Sequence, residues 1–195
     1  MTTTLLRQPA MTRTPVPGPY RFTRAEYHRL GDIGFFDDKR VELIRGEIHV
    51  MSPIGWPHTV GVNKTQEALR TVFTGLGWVQ TQNPVVTDDS EPEPDVAAYR
   101  GKMLDYFDHP TPPDTLLIVE VSATSLVKDT TLKADFYAQE GITEYWVVDV
   151  DNRKLLVFRD PSPTGYLTKK SLADTESLSP LAVPSASIRV ADLLP

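Results

Sequence analysis

Leu116-Leu117-Ile118-Val119-Glu120-Val121 is the stretch on which the reading of this chain turns. Five of these six residues are apolar and no turn residue interrupts them, the pattern of a strand buried on both faces of a sheet. Downstream, a helix is expected from about Thr130 to Gln139, stopped by Gly141, followed by a second buried strand, Glu144-Tyr145-Trp146-Val147-Val148-Asp149. Strand, helix, strand in that order is a βαβ-like unit. Lys154 to Phe158 reads as a strand returning beside the second one across the turn Asp151-Asn152-Arg153. The tail, Pro180 to Pro195, is expected to end in a short strand and a turn at Ala191-Asp192-Leu193-Leu194.

Upstream, Pro94 to Tyr99 and Trp78 to Thr81 read as strands separated by the acidic loop Thr87-Asp88-Asp89-Ser90-Glu91-Pro92-Glu93. A helix is expected from His58 to Phe73, with Pro57 suited to its first turn and Gly75 and Gly77 closing it. Val41 to Met51 alternates around Arg45-Gly46 as an N-terminal β-hairpin. Thr23 with Glu26 three residues on is a capping box, so a short helix is expected over Thr23 to Leu30. Residues 1–19, rich in Thr and Pro, are expected to be a flexible arm, and residues 20–195 a single domain. The fold class is therefore mixed α/β or α+β, with a central mixed sheet flanked by helices.

A chain of 195 residues is long enough to bury a self-sufficient core, and its lack of cysteine excludes disulfides, thiolate metal sites and a cysteine nucleophile. No apolar run approaches the ~20 residues of a membrane span, and Met1 to Ala10 has no signal-peptide core, so a cytoplasmic location without membrane attachment is expected. A formal net charge of -6 argues against tight sequence-blind phosphate binding but is compatible with a local basic groove.

Glu120 is the sharpest chemical signal, because a carboxylate inside an apolar strand is costly unless paired or bound to metal. Asp95, after Pro94, supplies a second carboxylate and Lys133 a cation. If the strands carrying Asp95 and Glu120 are neighbours, the two acids share one sheet edge and together suit a hard divalent ion, Mg²⁺ or Mn²⁺. A lysine beside them would orient or deprotonate water, or offset charge on a phosphate, as phosphodiester hydrolysis requires. The plain alternative is a buried Glu120–Lys133 salt bridge with Asp95 capping a turn. His58 at a helix start faces a phosphate or simply packs, and Glu91 and Glu93 add to an acid field or are merely solvated. Tyr145 and Trp146 read as core residues.

Pro94-Asp95, Val119-Glu120-Val121-Ser122, then Asp129, Lys133, Tyr137, Gly141 and Glu144-Tyr145-Trp146-Val147-Val148-Asp149 together resemble the Uma family of restriction endonuclease-like proteins. Glu42-Leu43-Ile44-Arg45-Gly46-Glu47-Ile48, Met51-Ser52-Pro53 and His58 resemble the N-terminal half of the same family, so the likeness covers roughly residues 20 to 190. The resemblance implies a restriction endonuclease-like core of the PD-(D/E)XK superfamily. It also implies a metal-dependent endonuclease acting on nucleic acid, DNA first, with a two-fold homodimer as a further expectation. The superfamily's usual lysine two residues after the second acid is here Ser122. The resemblance favours a lysine migrated to the next helix, Lys133, with Lys128 as the second candidate. Asp95, Glu120 and the Val121 carbonyl are then the metal ligands, Lys133 assists water, and Glu42 adds an acid at the edge of the site. A non-catalytic nucleic-acid-binding or protein-interaction module on the same fold stays open.

Overall fold

The structure is a computed structural model and describes residues 17–195. The arm expected over residues 1–19 thus lies, up to residue 16, outside the described residues. Helix α1, Arg24–Asp32, begins at the Thr23–Glu26 capping box, and strands β1, Val41–Ile44, and β2, Glu47–Val50, form the expected hairpin. Arg45 and Gly46 both adopt positive φ at its turn. That is what a two-residue hairpin loop asks of its central residues.

Helix α2, Trp56–Val72, starts two residues earlier than expected and leads into β3, Gly77–Thr81. Strands β4, Val96–Arg100, β5, Thr115–Ser122, β6, Glu144–Asp149, β7, Lys154–Ser162, and β8, Gly165–Ala173, complete a six-stranded sheet in sequential order. Only β5 and β6 run parallel. The crossover between them is a short helix α3, Leu126–Lys128, a π-helical turn, Asp129–Lys133, and helix α4, Ala134–Gln139. The single helix expected from Thr130 therefore starts at Leu126 and carries an irregular turn. A pair of short strands, β9, Ser177–Leu178, and β10, Ile188–Arg189, ends the fold.

Side-chain alternation divides the sheet into two cores. Leu117, Val119 and Val121 of β5 pack with Val62, Leu69 and Phe73 of α2 and with the C-terminal Leu193 and Leu194. Ile118 faces the other way, toward Ala134, Phe136 and Tyr137 of the crossover and Tyr145 of β6. Glu120 shares that second face by the period of two, so the crossover helix is the element that must meet its charge. Gly61 lets α2 press on the end of β5: a Cβ there would lie 2.7 Å from a methyl carbon of Val121. This contact sets His58, one turn earlier, beside the same strand end.

Candidate active site

Register brings the first two acids together. Val96 of β4 pairs with Val119 of β5, so Asp95, the residue just before β4, comes beside Glu120. Asp95 Oδ2 accepts the Val121 backbone N–H at 2.8 Å, and Asp95 Oδ1 lies 3.0 Å from His58 Nε2. The strand predicted from Pro94 begins at Val96, which leaves Asp95 free of the ladder to make these contacts.

Lys133 and Tyr137, four residues apart on the crossover, both reach the same oxygen of Glu120: Lys133 Nζ donates to Oε1 at 2.9 Å and the Tyr137 hydroxyl at 3.1 Å. Lys133 Nζ also lies 3.2 Å from Glu42 Oε2, while Lys128 Nζ donates to Glu42 Oε1 at 2.7 Å. Glu42 Oε2 accepts the Glu93 backbone N–H in addition. Glu42 is therefore not a solvated strand residue, and it lines the cavity with Asp95, Glu120 and Lys133. It is buried and bridges both candidate lysines. Lys128 sits at the end of α3 with a fixed partner, where a flexible loop was expected.

Asp129, which the sequence marks only through the resemblance, is buried in the same cluster, and its Oδ2 accepts the Ser125 hydroxyl at 2.5 Å. The signal for it was its place four residues before Lys133, one helical turn on the same face. Its backbone carbonyl, within the π-turn, accepts the hydroxyl of the buried Tyr145 at 2.9 Å. Tyr145 and Trp146 are core residues, as expected. Arg40, for which the sequence gave no signal, lines the site and contacts Glu93 at 3.3 Å. Glu91, expected in a solvated run, is instead buried against Arg24 and His28 of α1.

Electrostatics follow from this crowding. Burial pushes the Glu120 carboxyl well up; Lys133 opposes that shift, and the neighbouring Asp95, Asp129 and Glu42 charges add to it. Burial alone would lower the Lys133 ammonium, but Glu120, Glu42 and Asp129 outweigh it and raise its pKa. Lys133 is thus held as a cation, suited to orienting water or offsetting charge rather than to taking a proton. Burial pushes Glu42 up as well, yet Lys133 and Lys128 overcome it and hold the carboxyl below its usual range. The hydrogen bond to Asp95 raises the His58 imidazole against its own burial.

Glu120, Lys133 and Asp95 are 3%, 3% and 7% exposed and open on a cavity of about 260 Å³. Asp129, His58, Lys128 and Arg40 also line it, together with the apolar Met51, Pro53, Ile54 and Pro57. Among the described residues no three His, Asp or Glu side chains gather closely enough to hold an ion alone. Mg²⁺ does not need such a cage, because it commonly takes one or two carboxylates and keeps several waters. The donor set suits it: Asp95 and Glu120 are hard oxygen donors, and Glu120 Oε2 makes no hydrogen bond among the described residues.

A central mixed sheet with one parallel pair, flanked by helices, is the architecture of a restriction endonuclease-like protein. Residues 24–191 match the family described as "Uma2: Putative restriction endonuclease". The match spans most of the sequence, and the chain belongs to that family. It is also similar to a solved structure described as "a putative nuclease belonging to DUF820 from Anabaena variabilis ATCC 29413", at 14% identity and a TM-score of 0.66. That likeness covers 88% of this chain and 97% of the other. No curated protein matches the chain. Among the described residues no helix is long and apolar enough to cross a membrane.

Proposed function

We propose that the protein is a metal-dependent endonuclease that hydrolyses phosphodiester bonds of nucleic acid, DNA first. The observation that carries this reading is the Asp95 contact to the Val121 N–H, which fixes one acid against the strand residue next to the other acid. Within a strand residue N–H and C=O point to the same side, so the Val121 carbonyl faces the Asp95 side too. Continuing the β4–β5 register by two residues sets Pro94 opposite Val121, and proline has no N–H to offer that carbonyl.

Asp95, Glu120 and the Val121 carbonyl would hold Mg²⁺ or Mn²⁺, in keeping with the restriction endonuclease-like family. Bound there, the ion supplies Lewis-acid polarisation of a phosphoryl oxygen. Lys133, kept cationic by Glu120 and Glu42, donates to the attacking water or to a non-bridging oxygen as negative charge builds. Tyr137 holds Glu120 Oε1 in place, and His58 orients Asp95 through its Nε2. In the net reaction water adds across the ester: a new P–O bond forms, one P–O ester bond breaks, and the departing oxygen gains a proton.

Incubation with supercoiled plasmid and with single-stranded DNA in millimolar Mg²⁺ or Mn²⁺ tests this. Cleavage is expected in wild type, and a loss of at least about 100-fold is expected in Asp95→Asn, Glu120→Gln and Lys133→Met, in line with removal of groups that stabilise the transition state. Nucleic-acid binding without cleavage under every metal condition would overturn the enzymatic reading in favour of a non-catalytic module.

A further inference from the structure

Trp56 is 77% exposed, whereas Trp146 is fully buried and Trp78 is half-buried against Tyr99 and Tyr106. An indole in water forgoes a large burial gain, and aromatic side chains left out in this way mark binding surfaces more often than charged ones do. Its position gives the exposure meaning. The residues on either side, Gly55 and Pro57, both line the candidate active-site cavity, so Trp56 borders that cavity without being part of its wall.

The cavity itself has two kinds of surface. Its lining combines the acids and Lys133 with the cations Arg40 and Lys128, and it also includes the apolar run of Met51, Pro53 and Ile54. A nucleotide divides in the same manner, into a charged phosphate and a base with apolar faces. At about 260 Å³ the space lies just below the roughly 300–1,000 Å³ of pockets that enclose drug-sized ligands, which leaves room for about one nucleotide. The carboxylates sit almost fully buried within it. A scissile phosphate must therefore be drawn inward by bending the backbone, which a flexible single strand does readily, whereas a duplex resists bending over so short a span.

Resting on the nuclease reading above, we propose that the substrate of this site is single-stranded nucleic acid, with one unpaired base against the Met51–Pro53–Ile54 wall and an adjacent base stacked on Trp56. Stacking on an aromatic platform is tolerant of sequence because every base offers a π face, and it supplements a cationic track along the backbone. Arg40 and Lys128, each paired with an acid, at Glu93 and Glu42, are the partly exposed cations that line the cavity here. The overall negative charge then matters less, since stacking carries affinity that does not depend on long-range attraction.

The test uses fluorescein-labelled oligothymidylate of about 12 nucleotides, long enough to reach past the cavity and Trp56 on both sides, and a duplex of the same length and mixed sequence. Binding is followed by anisotropy with Ca²⁺ replacing Mg²⁺. Wild type is expected to bind the single strand more tightly than the duplex. Trp56→Ala should weaken single-strand binding by about tenfold and Trp56→Phe should restore most of it, in line with the contribution of one stacked base. Circular dichroism should remain unchanged, because the side chain is exposed. Equal affinity for both probes with no effect of Trp56→Ala, in a protein that still nicks plasmid, overturns this inference and leaves the nuclease reading standing. If wild type binds neither probe with Ca²⁺ and cuts neither plasmid nor single-stranded DNA with Mg²⁺ or Mn²⁺, both fall. A dimer that Trp56→Ala converts to monomers without changing nucleic-acid affinity would overturn the inference in favour of an interface between copies.

Discussion

Glu120 and Glu144 are both buried carboxylates of adjacent parallel strands, yet they are held in opposite ways. Glu144, at the start of β6, faces the α2 side of the sheet together with Trp146. Its Oε1 accepts Trp146 Nε1 at 2.9 Å and Arg159 Nε at 2.8 Å, and its Oε2 accepts the Leu181 N–H at 2.7 Å. Arg159 is also its cross-strand partner on β7. Both oxygens are satisfied by a guanidinium and fixed donors, and the acid fastens the C-terminal segment to the sheet. Glu120, near the other end of β5 and on the opposite face, has one oxygen held by Lys133 and Tyr137 and the other without a hydrogen bond among the described residues. Around it four buried carboxylates, Glu42, Asp95, Glu120 and Asp129, meet two ammonium groups, Lys128 and Lys133. Glu144 has both oxygens met by fixed donors, whereas this cluster, even with His58 beside Asp95, holds more acids than cations, and burial already pushes Glu120 toward its neutral form. A cation entering the cavity would thus be held by charge that the protein itself does not fully answer.

Breaking the satisfied member should cost most. Glu144→Ala leaves Arg159 and two N–H donors without their acceptor, and thermal or urea unfolding should show a loss of about 3–5 kcal/mol that divalent ions do not alter. A loss below about 1 kcal/mol would place it with exposed ion pairs and remove the contrast.

A smaller effect, with a pH signature, is expected at Glu42. Glu42→Gln keeps the shape but removes the charge that both lysines use, for a loss of about 2 kcal/mol at neutral pH. Because the folded carboxyl is held below its ordinary value of 4.5, the stability it contributes is present above that pH and disappears as pH falls through the lower folded value. The gap between wild type and Glu42→Gln, measured by urea unfolding across acid pH, should therefore close on acidification. A gap that widened instead would mean that burial, not the lysines, governs this acid.

Much of the fold was legible because apolar runs and turn residues act locally. The runs at Leu116–Val121 and Glu144–Asp149 declared β5 and β6, the Thr23–Glu26 box declared α1, and Arg45-Gly46 declared the hairpin. Strand β8 was not legible: Leu167 to Lys170 is largely exposed and carries Lys169 and Lys170, the charges that guard a sheet edge and hide its apolar period. The π-turn was also silent, since no residue pattern marks a helix that gains one residue in a turn; its stabilising contact, from Tyr145, comes from another element. In the site, the adjacency of Asp95 and Glu120 followed from neighbouring strands, and the shared reach of Lys133 and Tyr137 from their spacing. Glu42 and Glu91 could not be placed, because their partners lie 86 and 67 residues away in sequence. A buried acid whose partners are that distant looks the same in sequence as a solvated one.

Asp95 and Glu120 are expected to hold one divalent ion together, which thermal unfolding with and without millimolar Mn²⁺ or Mg²⁺ measures. With ion at 100 times its Kd, wild type should gain about 2.7 kcal/mol, or roughly 5–10 °C in Tm for a chain of this size. Asp95→Asn and Glu120→Gln should each abolish the rise while Glu144→Ala keeps it. A wild-type Tm that does not respond to either ion, or a rise that survives both substitutions, would mean that the two acids form no shared ion site.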